Sequence, residues 1–447
     1  MEIFRNRFGG DDMEIRRDYY LDKLIRKQHN GFIKIITGIR RCGKSYLLNN
    51  IFYNHLIESG VDESHIIKFA FDSGRDLIKI GEDLMDLDML SGERLVDPKK
   101  FLEYIDSKTN DNDIYYILLD EVQLLSSFEQ VLNGFLRQDN FDVYVTGSNS
   151  KFLSKDIITE FAGRGDEIHV MPLTFSEFYS VQNLDKEDAF AEYQVFGGLP
   201  ALCSMTSDED KMNYLQSQLE NVYLRDIVNR YDIRLEKELG DLLNVIASGM
   251  STLTNPSKIS ATFGSMKKSK ITPNTIDKFI EYFEDSFMLK RVYRYDVKGR
   301  KYIGTPYKIY FEDVGLRNAR LNFRQIEETH LMENIIYNEL RHRGYMVDVG
   351  TVITREKDES NKDVKKQREV DFVANIGTKR YYIQSAYSLP TPKKIAQEKA
   401  SLMNIDDSFK KIIIVKDRVK AFYDENGILT INLFDFLLNK DSLEKII

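Results

Sequence analysis

Apolar runs at residues 32–37, 66–71, 115–119 and 143–146 alternate with stretches of helical spacing, a pattern that predicts a parallel sheet covered by helices. The first run, Phe32-Ile33-Lys34-Ile35-Ile36-Thr37, passes into a glycine-bounded turn, and Ser45-Tyr46-Leu47-Leu48 then opens a helix. Before the fourth run, Phe128, Val131, Leu132 and Phe135 recur at helix spacing. Past Pro172 the alternation stops, and residues 175–230 read as a helical, lid-like segment with a turn at Phe196-Gly197-Gly198-Leu199-Pro200. Three helical patterns follow between 235 and 311. The last has Thr272 as N-cap, Pro273 in the first turn, and Ile276, Phe279, Ile280 and Phe283 on one face. Two strand-like runs then flank Val297-Lys298-Gly299-Arg300, so the order is helix, helix, helix, hairpin, that of a winged helix. A helix at 330–342, strands at 345–352, 369–374 and 380–386, a helix near 394–403 and a strand at 411–415 predict a further small α/β unit, with the charged stretch 355–368 as a solvated hairpin tip.

The length of 447 residues allows about three domains. Net charge is −8, which excludes a uniformly basic coat but not a local basic patch. Cys42 and Cys203 are far apart and the six histidines show no ligand spacing, so neither a disulfide framework nor a zinc module is expected. No uncharged apolar run of about 18 residues occurs, and the first twenty residues lack the apolar core of a signal peptide. A cytoplasmic protein with no membrane partner is expected.

Gly38-Ile39-Arg40-Arg41-Cys42-Gly43-Lys44-Ser45 fits G-x-x-x-x-G-K-[ST] between a strand and a helix, the setting in which backbone N–H groups cradle a nucleotide's phosphates. In this reading Lys44 contacts the β- and γ-phosphates of ATP and Ser45 ligates Mg²⁺. The strand Ile117-Leu118-Leu119 ends in Asp120-Glu121, where Asp120 anchors Mg²⁺ and Glu121 polarises the attacking water. The next strand ends in Thr146-Gly147-Ser148-Asn149-Ser150, at the sheet edge where ligands of such folds bind. Ser148 or Asn149 is a sensor of the γ-phosphate or the lytic water, or else a capping residue. Arg164, in Phe161-Ala162-Gly163-Arg164-Gly165, is either a solvated arginine or a finger offered to a neighbouring copy in a homo-oligomer.

These motifs resemble the archaeal and bacterial AAA-superfamily ATPases that carry a C-terminal domain of unknown function. The likeness includes Leu119-Asp120-Glu121-Val122-Gln123, Pro172-Leu173-Thr174-Phe175-Ser176-Glu177-Phe178 and Gly197-Gly198-Leu199-Pro200. It continues through Asp226-Ile227-Val228-Asn229-Arg230, Lys308-Ile309-Tyr310-Phe311-Glu312-Asp313-Val314-Gly315-Leu316 and Glu333-Asn334-Ile335-Ile336-Tyr337-Asn338-Glu339-Leu340, nearly the whole chain. The resemblance implies an α/β P-loop NTPase core with a parallel sheet at 1–172, a helical lid at 173–234, a winged helix at 235–318 and a PD-(D/E)XK nuclease-like α/β domain at 319–447.

Between 255 and 310, twelve Lys/Arg face five acids, a net of +7 that leaves −15 for the rest of the chain. Lys278, Arg291, Arg294, Lys298, Arg300 and Lys301 are the candidate nucleic-acid contacts, all expected at the surface; Asn274, Thr275 and Lys278 would start a recognition helix. The alternative is a winged helix that recruits a protein. In the nuclease-like segment Glu333 matches the helix acid and Asp371 the strand acid, but Gln384 stands for the second acid and Ala386 for the lysine. A polar cluster of Glu333, Asp371 and Gln384 with Tyr387, without cleavage, is expected; the alternative is a nuclease that uses Lys365 or Lys379. The whole reads as an Mg²⁺-dependent ATPase coupled to a C-terminal half that contacts DNA, with a slow ATP switch recruiting a protein, or an ATP-gated nuclease, as rivals.

Overall fold

The computed structural model describes residues 15–82, 95–147, 161, 163–266, 271–357 and 363–444. The chain forms two compact units, Ile15–Met171 and Pro172–Ile447.

In the first unit, β1 (Ile33–Thr37), β2 (Ile66–Ala70), β3 (Tyr115–Asp120), β4 (Phe141–Thr146) and β5 (Gly165–His169) form one parallel sheet in the order β2-β3-β4-β1-β5. β1 and β3 are buried at every position, which is why they read as apolar runs and not as alternations. The charged exception in β1, Lys34, is wholly buried and paired with Asp142 of β4. Helix α1 (Asp18–Arg26) precedes the sheet, and the helical turns Lys44–Tyr46, Leu47–Phe52 and Tyr53–Glu58 follow β1. The segment Phe128–Phe135 is helical and buries Phe128, Val131, Leu132 and Phe135.

The second unit contains α2 (Lys186–Phe196), α3 (Glu236–Ser248), α4 (Pro256–Met266), α5 (Pro273–Asp285), α6 (Val314–Arg320), α7 (Glu328–His342) and α8 (Pro392–Leu402). Thr272 caps α5 by accepting the Thr275 N–H, and Ile276, Phe279, Ile280 and Phe283 are its buried face. The strands are β6 (Leu289–Asp296), β7 (Lys301–Phe311), β8 (Met346–Lys357), β9 (Asp363–Ile376), β10 (Lys379–Ala386), β11 (Lys410–Val415), β12 (Phe422–Tyr423) and β13 (Ile428–Asn432). All eight share one sheet, ordered β12-β13-β11-β10-β9-β8-β6-β7. The hairpin β6–β7, expected as a wing, is thus the edge of the sheet that also holds the strands of the expected nuclease-like domain, joined by parallel pairing of Arg294–Asp296 with Val349–Thr351. The charged stretch at 355–368 is no loop at its ends: ladder pairing runs on to Lys357 and resumes at Asp363. A charged sequence is compatible with a two-stranded arm because its backbone bonds are satisfied across the pair.

Two glycine-bearing motifs form one joint in this unit. Asp313, fully buried, accepts the N–H groups of Gly198 at 2.7 Å and Leu316 at 3.0 Å. Gly197 has φ 78°, and a Cβ there would fall 2.4 Å from Asp313 Oδ1; on Gly315 it would fall 1.9 Å from the Phe196 carbonyl oxygen. Asn318 closes the end of α2 by donating to the carbonyls of Gln194 and Val195, each at 2.9 Å.

Candidate functional site

The loop 38–45 leaves the carboxyl end of β1. Gly38 sits at φ 137°, and a Cβ there would lie 2.1 Å from the Val170 carbonyl oxygen, so the loop's first residue has no room for a side chain. Gly43, at φ 99°, turns the chain into the following helix, and Arg41 is left-handed at φ 65°. The Cys42 thiol is buried and donates to the Val170 carbonyl at 3.1 Å. Lys44 is buried, its ammonium donating to the carbonyls of Gly38 at 2.9 Å and Ile39 at 3.1 Å. It is therefore held inside the ring of the loop that the motif assigns to phosphate.

Asp120, at the end of β3, faces that loop. Its Oδ1 accepts from Ser45 Oγ at 3.0 Å and from Thr146 Oγ1, while its Oδ2 accepts from Asn49 Nδ2 at 3.3 Å. Burial pushes the Asp120 carboxyl up to about 6 against the opposing hydrogen bonds, with the neighbouring Glu121 charge adding to the rise. Glu121 is left-handed (φ 54°, ψ 47°); its N–H donates to Thr146 Oγ1 at 3.2 Å, and its carboxylate accepts from Gln123 Nε2. A hydroxyl and a carboxylate side by side suit Mg²⁺, which prefers oxygen ligands and keeps several waters. Ser45 and Asp120 would hold the ion, and the ion would neutralise charge on the phosphates.

The sequence reading gave no role to Asn49, Thr146, Gln123 or Arg17. Asn49 was legible as the residue one helical turn beyond Ser45. Arg17 was not: its guanidinium donates to the carbonyls of Cys42 at 3.2 Å and Met171 at 2.7 Å, partners 25 and 154 residues away. Ser148 and Asn149 lie outside the described residues. Arg164 is exposed and precedes β5, next to Ile33, whose N–H its carbonyl accepts; it stands at the amino edge of the sheet, opposite the loop. Five residues of strand, about 16 Å, separate the two edges, so Arg164 does not serve its own chain's phosphate loop.

The expected basic surface is partly neutralised. Arg291 is no free surface cation: its Nε donates to Glu284 at 2.7 Å, and Asp277 and Glu281 lie within 3.7 Å. Those acids sit on α5, whose acidic face looks toward β6. Arg294 is buried by the pairing of β6 with its neighbours, and Lys298 bridges to Asp406 at 3.2 Å. Lys278, Arg300 and Lys301 are exposed.

In the segment expected to be nuclease-like, a different cluster stands in place of the expected one. Gln384 faces α8, its Oε1 3.4 Å from Ser401 Oγ, and Tyr387 pairs with Lys416 at 2.7 Å. The groups gathered on Glu333 and Asp371 are instead Lys308, from β7, and Glu369. Lys365 is exposed, and Lys379 bridges to Glu444 at 2.9 Å; neither is the lysine of this cluster. Burial and the Glu333 charge hold the Asp371 carboxyl well above the usual range. Elsewhere, among the described residues, His65, Asp111 and Asp113 offer ligand atoms within 4.8 Å of one another.

Among the described residues no helix is long and apolar enough to cross a membrane. Residues 30–179 match the family of an AAA domain and residues 187–327 a domain of unknown function, DUF8612. An uncharacterized protein of Haemophilus influenzae is 29% identical over 432 residues, covering 95% of this chain and 98% of its own. An uncharacterized protein of Methanocaldococcus jannaschii is 25% identical over 409 residues, covering 88% of this chain and 82% of the relative. Among solved structures, the Aeropyrum pernix Orc1 protein in complex with DNA matches at 11% identity and TM-score 0.31, over 69% of this chain and 94% of that one. Cdc6p from Pyrobaculum aerophilum matches at 12% identity and TM-score 0.30, over 74% and 98%. With its parallel sheet and glycine-bounded lysine loop, the segment 30–179 carries an AAA-type P-loop ATPase fold.

Proposed function

We propose that this chain binds ATP on the loop 38–45 and hydrolyses it, with Mg²⁺ held by Ser45 and Asp120 and the attacking water polarised by Glu121. The observation that carries this is the single hydrogen-bonded set in which Thr146 and Ser45 both donate to Asp120 while Thr146 also accepts the Glu121 N–H. It brings together Ser45, Asp120 and Glu121, the residues to which this reading gives those roles, and so supports it. Lys44 supplies the cation for the β- and γ-phosphates once its bonds to the Gly38 and Ile39 carbonyls are exchanged for phosphate oxygens. Ser148 or Asn149 as the phosphate sensor, and Arg164 as a residue acting on a neighbouring copy, remain parts of this proposal. Glu121→Gln tests it: the amide keeps the shape but cannot accept the water's proton, so ATP is expected to stay bound while turnover falls by two or more orders of magnitude. Native turnover in this variant would remove Glu121 from the mechanism.

The C-terminal unit is proposed to read out the nucleotide state as a lid, a winged helix and a non-cleaving nuclease-like segment. Exposed Lys278, Arg300 and Lys301 support contact with a nucleic-acid backbone. The pairing of Arg291 with Glu284 and of Lys298 with Asp406 favours the second reading, a slow ATP switch that recruits a protein through this unit. ATP turnover measured with and without duplex DNA separates them: stimulation supports the first, indifference the second.

A further inference from the structure

A nuclease-like scaffold works through a divalent metal, which needs carboxylate oxygens converging on a position open to a cation. Here the carboxylates converge on an ammonium of the chain itself. Lys308 Nζ lies 2.8 Å from Glu333 Oε1, 2.7 Å from Glu369 Oε1 and 3.8 Å from Asp371 Oδ1. Lys308 is 2% exposed, and its strand neighbours Tyr307, Ile309 and Tyr310 are buried with it. Two further donors reach the cluster: Tyr310 donates to the same Glu333 Oε1 at 2.6 Å, and the Ser385 N–H to Asp371 Oδ2 at 2.8 Å. We infer that Lys308 is the resident cation of this cluster, and that the nuclease-like segment takes no divalent metal there. The inference deepens the proposed function, because it states why this half is built to bind and not to cut.

The physical reason is competition for one place. Mg²⁺ or Mn²⁺ at the cluster would stand about 2.1 Å from its oxygens, within a few ångströms of a buried ammonium, where like charges repel strongly in the low dielectric of the interior. The Lys308 side chain is itself enclosed, so a swing away from the cluster would have to displace packed neighbours. Taking away the ammonium leaves Glu333 and Asp371 buried without their counter-charge, a state that favours entry of an external cation. The donor set therefore fits a lysine, and a divalent-metal site of the nuclease kind does not form beside it.

The test uses the full, nucleotide-free chain titrated with Mn²⁺, read by bound-ion stoichiometry and by unfolding temperature in Mn²⁺ against EDTA. Native protein and Asp371→Asn are expected to bind the same amount of Mn²⁺, with the native unfolding temperature indifferent to EDTA. Lys308→Ala is expected to gain one Mn²⁺ per chain and an unfolding temperature that rises with Mn²⁺, both lost again when Asp371→Asn is added. Lys308→Gln, which keeps the length of the side chain, is carried in parallel against misfolding of the shorter variant. A native Mn²⁺ site abolished by Asp371→Asn overturns the inference, as does metal-dependent nicking of DNA that disappears in that variant, or a folded Lys308 variant that gains no Mn²⁺. ATP turnover, measured separately in each variant, reports on the nucleotide site and leaves the cation question independent of it.

Discussion

At the residue scale, the hydroxyl of Thr146 is the smallest part on which the nucleotide site depends. It donates to Asp120 and accepts from the Glu121 N–H, so one side chain fixes the orientation of the proposed metal anchor and of the left-handed backbone that presents the proposed base. Thr146→Val keeps the volume and strand preference but leaves the part-buried Glu121 N–H without this acceptor and removes a donor from buried Asp120, at a cost of about 1–3 kcal/mol. Turnover is expected to fall more than nucleotide affinity, because Lys44 and the loop are untouched; kcat and Kd measured together check this, and an equal loss in both would place Thr146 in binding only. The phosphate loop was legible from sequence because its chemistry is written in eight consecutive residues, with Asp120-Glu121 marked by the apolar strand before them. The role of Thr146 was not, since a threonine at a strand end gives the same local signal whether it caps, turns or bridges.

At the scale of elements, the joint between Gly197-Gly198 and the segment Asp313–Asn318 explains why small residues fall where they do. No side chain fits at Gly197 or Gly315, and the Asp313 carboxylate spends its acceptors on backbone N–H groups. Complete burial pushes Asp313 up to about 6, against the lowering effect of those bonds. The folded state thus holds this proton more tightly than the unfolded chain, whose aspartate titrates near 3.9. The resulting stability is fully present below that unfolded value and is lost as pH rises to about 6, some 3 kcal/mol in all for a two-unit shift. Chemical denaturation of the native chain between pH 4 and 7 is expected to show this loss. Asp313→Asn should be less stable at pH 4 and have a flatter pH slope; an unchanged slope would show that Asp313 is ionised throughout. Helix periodicity foretold α5 and its capping, but the destination of the hairpin β6–β7 lay beyond it. A strand's neighbours depend on pairing across the chain, and here Arg294–Asp296 pair with residues more than fifty positions later.

At the scale of the whole molecule, charge is distributed in a way that composition cannot show. The excess of +7 between 255 and 310 suggests a basic face, yet Arg291, Lys298 and Lys308 each meet acids, and those met by Lys298 and Lys308 lie outside the interval. Local counting sees the cations and misses partners such as Asp406, 108 residues from Lys298. If the C-terminal unit binds duplex DNA, phosphate binding falls to Lys278, Arg300 and Lys301, the candidates that stay exposed and, among the described residues, in no ion pair. Changing these three to alanine is expected to reduce the slope of log K against log salt by about 0.9 for each phosphate no longer neutralised, with the fold intact. Arg291→Ala is expected to do the opposite: it removes the guanidinium partner of Glu284, destabilises the α5–β6 packing by on the order of 2 kcal/mol, and leaves the salt slope of the surviving folded protein as it was. Binding isotherms from about 50 to 200 mM salt, with unfolding curves on the same preparations, separate the two effects. A slope unmoved by the triple change, or native protein that binds no DNA in either nucleotide state, would leave the paired surface to a protein partner and make recruitment the work of this unit.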